Sequence, residues 1–224
     1  MSNGSVGRAA SAVVTAVIAL CAVTMTTLAL RRGPAAPAAR KAAIESQTDW
    51  RTYAIDGHRI GPPDAKAVLV EFADFQCPAC RRLEDRLRVA RKRFPLDFAV
   101  VYRHFPLNIH KFARQAAVAS ECGAQQSRFP EMHDALFDVG DSLGVVPWTV
   151  LAARAGVASV PQFAKCMSDS TVIALVTRDV DAAKRLGARA TPTLLIDGVR
   201  ATGTIPQSTL DSLVQNAIKH AMKD

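Results

Sequence analysis

Hydrophobic and polar positions change rhythm several times along the chain. Residues 9–30 (AASAVVTAVIALCAVTMTTLAL) form an apolar run with no charged side chain, bounded by Arg8 on one side and by Arg31 and Arg32 on the other. A helix needs about 20 apolar residues to cross the hydrocarbon core of a bilayer, and this run suffices. Two readings stand. One is a retained transmembrane anchor. The other is a secretory signal peptide, whose apolar region is usually shorter, roughly 7 to 15 residues. The Ala-x-Ala pattern at Ala36, Pro37 and Ala38 lies beyond the double arginine and carries a proline, so the anchor is the expectation. Residues 33–40 (GPAAPAAR) read as a semi-extended spacer. It falls in a linker over residues 31–50, with the folded domain expected to begin between residues 44 and 53.

Residues 67–73 (AVLVEFA) are rich in strand formers and mostly apolar, which predicts a buried strand. Residues 81–93 switch to helical spacing, with Leu83, Leu87 and Ala90 on one face, a basic last turn and Pro95 as a stop. Residues 96–102 (LDFAVVY) predict a second strand. Strand, helix, strand in that order points to an α/β unit with a parallel pair. A helical block follows at residues 109–121, 130–139, 147–155, 161–167 and 171–186, with prolines at several starts and Gly187 as a C-cap. The pattern then reverts. Residues 193–196 and 199–202 predict a hairpin about Asp197-Gly198, and residues 208–222 a closing helix. The expected organisation is an α/β fold in two halves, residues 51–108 and 187–224, with a helical insertion at 109–186 between them. One N-terminal transmembrane helix precedes it, with residues 1–8 in the cytoplasm.

Composition changes this picture little. The 224 residues are 49% hydrophobic and 21% charged, enough for a sizeable core, and 12 Gly with 12 Pro argue against global disorder. The net charge of +8 is dispersed and no nucleic-acid motif accompanies it, so it reads as general surface charge. Charge does complicate the orientation of the apolar run. Arg8 stands against Arg31, Arg32, Arg40 and Lys41, which by the positive-inside rule would keep the large domain in the cytoplasm.

Five cysteines carry the candidate chemistry: Cys21 in the apolar run, then Cys77, Cys80, Cys122 and Cys166. A zinc site needs four ligands at short spacing, and neither the distant second pair nor the scattered histidines supply it. A purely structural Cys77–Cys80 bridge closes too little chain to stabilise much. The placement of FQCPACRR between a strand and a helix favours a redox couple. Cys77 falls at the helix N-terminus, where unpaired N–H groups and the positive dipole end favour a thiolate. Arg81 and Arg82 add positive charge nearby, while Pro78 and Ala79 form the turn. A stabilised thiolate stabilises the dithiol and makes the disulfide a stronger oxidant.

The stretch VEFADFQCPAC, with YRHFPL after the second strand and ATPT before the third, resembles the DsbA-like thiol–disulfide oxidoreductases. The resemblance covers about residues 65–222 and implies a thioredoxin fold with an inserted helical domain. It implies that Cys77 is the exposed nucleophile and Cys80 its buried partner. It implies that Pro192 is a cis-proline packed against the active-site disulfide, with Thr191 binding an extended substrate strand. Glu71 matches a buried acid beside the second cysteine, although a place at a wet strand edge remains open for it. Cys122 and Cys166 match a second, structural disulfide present in some members; two unpaired core thiols are the other reading. A bridge there implies an oxidising compartment, and for that reason we place the domain outside the membrane against the arginine count. The function expected is oxidation of cysteine pairs in secreted or cell-envelope proteins by a Cys77–Cys80 disulfide, with no metal and no further cofactor. Unfolded or reduced exported proteins would be the substrates. A membrane quinone-coupled partner of the DsbB or vitamin K epoxide reductase type would reoxidise the pair. A disulfide reductase or isomerase, and a non-catalytic metal chaperone using the two thiolates, remain as alternatives.

Overall fold

The apolar run at residues 67–73 becomes an interior strand of a six-stranded sheet in the computed structural model, which describes residues 44–223. The strands are β1 (Ile44–Ser46), β2 (His58–Ile60), β3 (Ala67–Ala73), β4 (Phe98–His104), β5 (Thr193–Ile196) and β6 (Val199–Thr202). Their order is β1-β6-β5-β3-β4-β2; β3 and β4 are parallel and every other pairing is antiparallel. The helices are α1 (Pro78–Arg93), α2 (Ala113–Ala124), α3 (Phe129–Asp138), α4 (Trp148–Arg154), α5 (Val160–Cys166), α6 (Ser170–Arg185) and α7 (Gln207–Ala221).

Side chains alternate across a strand, so each strand feeds two cores. Leu69 of β3 and Phe98 and Val100 of β4 pack with Leu83 and Leu87 of α1 and Leu210 and Val214 of α7. Val70, Phe72 and Val101 face the other way, onto Ala182, Ala183 and Leu186 at the end of α6 and onto Trp50. By the same alternation Glu71 and Tyr102 point to the α1 side. Helices α2 to α6 form the insertion between β4 and β5, around a third core that includes Met132, Leu136, Leu151 and Phe163. A buried ion pair fastens the insertion to the sheet: Arg103 of β4 donates to Asp179 of α6 at 2.8 Å, and Asp179 also accepts the His104 N–H at 3.0 Å.

The thioredoxin fold with a helical insertion is present as the resemblance implied, with differences at its margins. The folded unit begins at Ile44, at the early end of the expected window and ahead of the residue-51 boundary drawn for the first half. β1 pairs with β6, and Trp50 is buried in a short 3-10 turn, so residues 44–50 are not linker. The first insertion helix starts at Ala113 and not at residue 109. The backbone just before it is held by the active-site loop: Asp74 accepts the Leu107 N–H and Gln76 Oε1 the Phe112 N–H. The second predicted strand is shifted to Phe98–His104, because Phe98 N–H still bonds Phe94 C=O in the turn that ends α1. The expected transmembrane helix at residues 9–30 lies outside the described residues. Among the described residues no helix is long and apolar enough to cross a membrane.

Candidate active site

The loop from β3 to α1 is built around Asp74, a buried carboxylate. Its backbone carbonyl accepts the Cys77 N–H at 3.0 Å, and its carboxylate accepts the N–H groups of Gln76 and Leu107 at 2.8 and 2.9 Å. His110 Nδ1 lies 2.7 Å from the same carboxylate. This arrangement delivers Cys77 to the N-cap of α1 in extended backbone geometry, with Pro78 in the first turn, where its missing N–H leaves no bond unmade. Thr204 Oγ1 donates to Ala79 C=O at 2.9 Å and ties the turn to the loop after β6.

Cys77 and Cys80 are free thiols with unequal surroundings. The Cys77 thiol is lowered to about 5, chiefly by a hydrogen bond from Cys80. Burial opposes this, and the nearby Thr191 side chain and the Cys80 and Ala79 N–H groups reinforce it. Burial pushes the Cys80 thiol well above its ordinary value, and its contact with Cys77 and the nearby Glu71 add to that. One sulfur is thus a thiolate at neutral pH and the other a thiol.

Glu71 is fully buried on an interior strand between β4 and β5, which removes the wet-edge reading. Neither of its carboxyl oxygens has a hydrogen-bond partner. Burial first, then Glu84, hold its pKa well above the usual carboxylate range, with Arg91 opposing. Burial thus favours the protonated form of a carboxyl group whose charge would push the Cys80 thiol up further. Thr191-Pro192 is a cis peptide bond, and the Thr191 carbonyl lies 3.6 Å from Cys77 Sγ. The Thr191 hydroxyl is buried with no hydrogen-bond partner. Cys77, Cys80, Glu71, Thr191 and Pro192 thus gather at one end of the sheet. Cys122 and Cys166 form a disulfide joining α2 to the end of α5.

Two expectations are revised. Cys77 is 6% exposed, not open to solvent. The Gly140–Asp141 turn of the insertion, with Arg81 and Phe75, lines a small cleft beside it. The arginines are also not the chief cause of the thiolate. Arg81 turns to Asp141 at 3.2 Å and Arg82 is exposed. Hydrogen bonds at short range outweigh charges that water can screen.

Several residues of the site carried no sequence signal that singled them out. Glu84 sits on the buried face of α1 beside Leu83 and Leu87. Arg88 and Arg91 neutralise it at 3.1 and 2.8 Å, and His133 stands 3.9 Å away. Tyr102 lies opposite Glu71 in the β3–β4 register, and its buried hydroxyl has no partner. The HFP stretch also concealed a role for His104, which meets Glu121 and His58 at the edge of the insertion.

A strand-to-helix Cys-x-x-Cys turn facing a cis-proline, with helices inserted between the two, defines a thioredoxin-superfamily redox protein of DsbA-like architecture. A thioredoxin family model matches residues 53–216, and the chain belongs to that family. Among solved structures it is similar to a thioredoxin-like oxidoreductase from Silicibacter pomeroyi DSS-3, with 26% identity and a TM-score of 0.65, covering 76% of this chain and 94% of that one. It is also similar to DsbA2 of Pseudomonas aeruginosa, with 28% identity and a TM-score of 0.60, covering 72% and 93%. Among curated proteins it is 40% identical over 149 residues to a Mycolicibacterium vanbaalenii protein named Na(+)/H(+) antiporter NhaA 1, across 65% of this chain and 24% of that protein. The chain spans about a quarter of the length of the curated relatives it matches.

Proposed function

We propose that the chain is an exported, membrane-tethered thiol–disulfide oxidoreductase that oxidises cysteine pairs in secreted or cell-envelope proteins. The observation that carries this reading is the asymmetry of the pair, a Cys77 thiol lowered to about 5 beside a Cys80 thiol that is raised. Stabilising the Cys77 thiolate favours the dithiol, so the disulfide accepts electrons readily.

In the oxidising half-reaction a substrate thiolate attacks Cys77 Sγ of the Cys77–Cys80 disulfide. The new S–S bond joins Cys77 to the substrate, and Cys80 leaves with the electron pair. Burial favours the protonated form of Glu71, and we assign it the proton that Cys80 takes up as it leaves, relayed through a water because neither carboxyl oxygen has a direct partner. A second substrate thiolate then attacks the substrate sulfur of the mixed disulfide and expels Cys77 as a thiolate. Two electrons have passed to the protein, and the substrate holds the disulfide. The Thr191 backbone, beside Cys77 and ahead of Pro192, is placed to bind an extended substrate strand.

Recycling requires an oxidant. We assign it to a membrane quinone-coupled protein of the DsbB or vitamin K epoxide reductase type, whose effective concentration a tether would raise. An extracytoplasmic location at the cell membrane is supported by the Cys122–Cys166 disulfide, a bond favoured in oxidising compartments. A two-thiolate metal carrier fits less well, because Cys80 is fully buried. Oxidative refolding of a reduced, cysteine-containing test protein separates the readings. The oxidised chain should restore its disulfides and Cys77→Ser should not. Failure of the oxidised wild type to transfer its disulfide would remove the oxidase reading.

A further inference from the structure

Away from the cysteines, three ligand-type side chains from three separate elements meet where the sheet touches the insertion. His58 comes from β2, His104 from the last position of β4 and Glu121 from α2. His58 faces Tyr102 across the antiparallel pair, so both histidines lie on the strand face turned toward the insertion. Each Nε2 lies 3.0 Å from the same oxygen, Glu121 Oε1. All three ligand atoms fall within 4.8 Å of one another. His104 and Glu121 are buried, whereas the His58 side chain is 25% exposed and is stacked on Phe129 at 3.8 Å.

We propose that His58, His104 and Glu121 form a binding site for a divalent transition-metal ion of the zinc type, separate from the Cys77–Cys80 redox site. Two imidazoles and one carboxylate suit such an ion, with water completing the tetrahedron. Bonds of about 2.0 to 2.1 Å at tetrahedral angles put neighbouring ligand atoms about 3.3 Å apart. The two His–Glu121 distances need to open by only a few tenths of an ångström from 3.0 Å, and the two Nε2 atoms, within 4.8 Å of each other, need to settle to the same spacing. Among the described residues the two histidines are the ion-pair partners of Glu121, so no lysine or arginine holds its charge. The other His/carboxylate cluster, Glu84, His133 and Asp134, differs here, because Arg88 and Arg91 already neutralise Glu84. His58 at the exposed edge gives the ion its way in. The ion would cross-link β2, β4 and α2 next to Cys122, the residue that follows Glu121.

Affinity has a built-in ceiling. A metal on His104 Nε2 moves the ring proton to Nδ1, which is buried without a partner. Missing second-shell support costs a metal site about 10- to 100-fold in affinity. The site should therefore bind reversibly and be emptied by a chelator.

The test uses the untagged full chain with Cys77–Cys80 oxidised and any remaining thiol alkylated, so that no thiolate competes. Titration with Zn²⁺ should show one equivalent bound and a rise in melting temperature. Co²⁺ should give the visible bands of a tetrahedral site. His58→Gln and Glu121→Gln should each weaken binding at least 10-fold. His220→Gln, at a surface histidine paired with Asp197, should leave it unchanged. His58→Gln alters the partly exposed ligand, so its fold can be verified independently by circular dichroism. No stoichiometric binding to the wild type, or equal binding to folded His58→Gln, would overturn the proposal.

Discussion

The backbone carbonyl of Thr191 stands 3.6 Å from the sulfur of Cys77, across a sequence separation of 114 residues. The buried hydroxyl of the same residue makes no hydrogen bond in the dithiol form, yet it is near enough to help lower the Cys77 thiol. Thr191→Val keeps the shape and removes that donor. The Cys77 pKa should rise, and the reduction potential should fall by about 30 mV for each unit of that rise at a pH where the thiolate dominates. Thiolate absorbance against pH checks it; an unchanged titration would show that the hydroxyl does not contribute.

The pH dependence of stability follows from the same thiolate. The folded Cys77 pKa is depressed to about 5. Its stabilisation of the dithiol protein is complete above the unfolded thiol range and is lost as pH falls through about 5. The disulfide form has no such group. At pH 7 the thiolate contributes roughly 3 kcal/mol to the dithiol form. The stability of the dithiol form relative to the disulfide form should therefore fall by that amount between pH 7 and pH 4. Denaturant melts of both forms at the two pH values measure it, and a flat difference would rule the thiolate out as its source.

Glu71 is a buried acid without a hydrogen-bond partner, retained at a cost to stability. Glu71→Leu should raise the unfolding free energy by about 1 to 3 kcal/mol, since an unsatisfied buried polar group disappears. It should also slow thiol–disulfide exchange at the step in which Cys80 gains or loses its proton. Stopped-flow fluorescence resolves that step. A more stable variant with unchanged exchange rates would make Glu71 a structural residue only.

How far the sequence revealed this molecule depends on where the stabilising contacts lie. Residues 67–73, 193–196 and 199–202 were legible as strands because each run carries its own apolar or strand-forming pattern within a few residues. Asp197-Gly198 marked their hairpin turn. The edge strands β1 and β2 were not legible. Each has three residues and is held by its partner, β6 or β4, more than by its own composition. Cys77 and Cys80 stood out by their chemistry and placement, and Pro192 through the family resemblance. Glu84, Tyr102 and the His58–His104–Glu121 meeting did not, since burial of a polar side chain is decided by distant elements. The cause of the low Cys77 pKa was likewise hidden. Arg81 is adjacent in sequence but turns to Asp141, while Thr191 is remote and sits at the sulfur.

The Cys122–Cys166 bridge closes a loop of 44 residues between α2 and α5. In the chain-entropy model such a bridge contributes about 4 kcal/mol. The double variant Cys122→Ala, Cys166→Ala should lose stability of that order in denaturant melts. Its Cys77 pKa should remain near 5, because none of the groups that lower it belongs to the bridged helices. A large shift in that pKa would mean that the bridge reaches the redox site.

The central claim is that the Cys77–Cys80 couple is an oxidant, and its reduction potential tests that most directly. Equilibration of the full chain with glutathione buffers at pH 7, read by alkylation and mass mapping of the pair, gives the value. It should be less negative than about −180 mV, on the oxidising side of the range spanned by thioredoxin-fold proteins. Its slope should change at the Cys77 pKa, from about 59 mV per pH unit below pH 5 to about 30 mV above, as the dithiol binds one proton fewer. A potential near about −270 mV would contradict the account and make the protein a reductant.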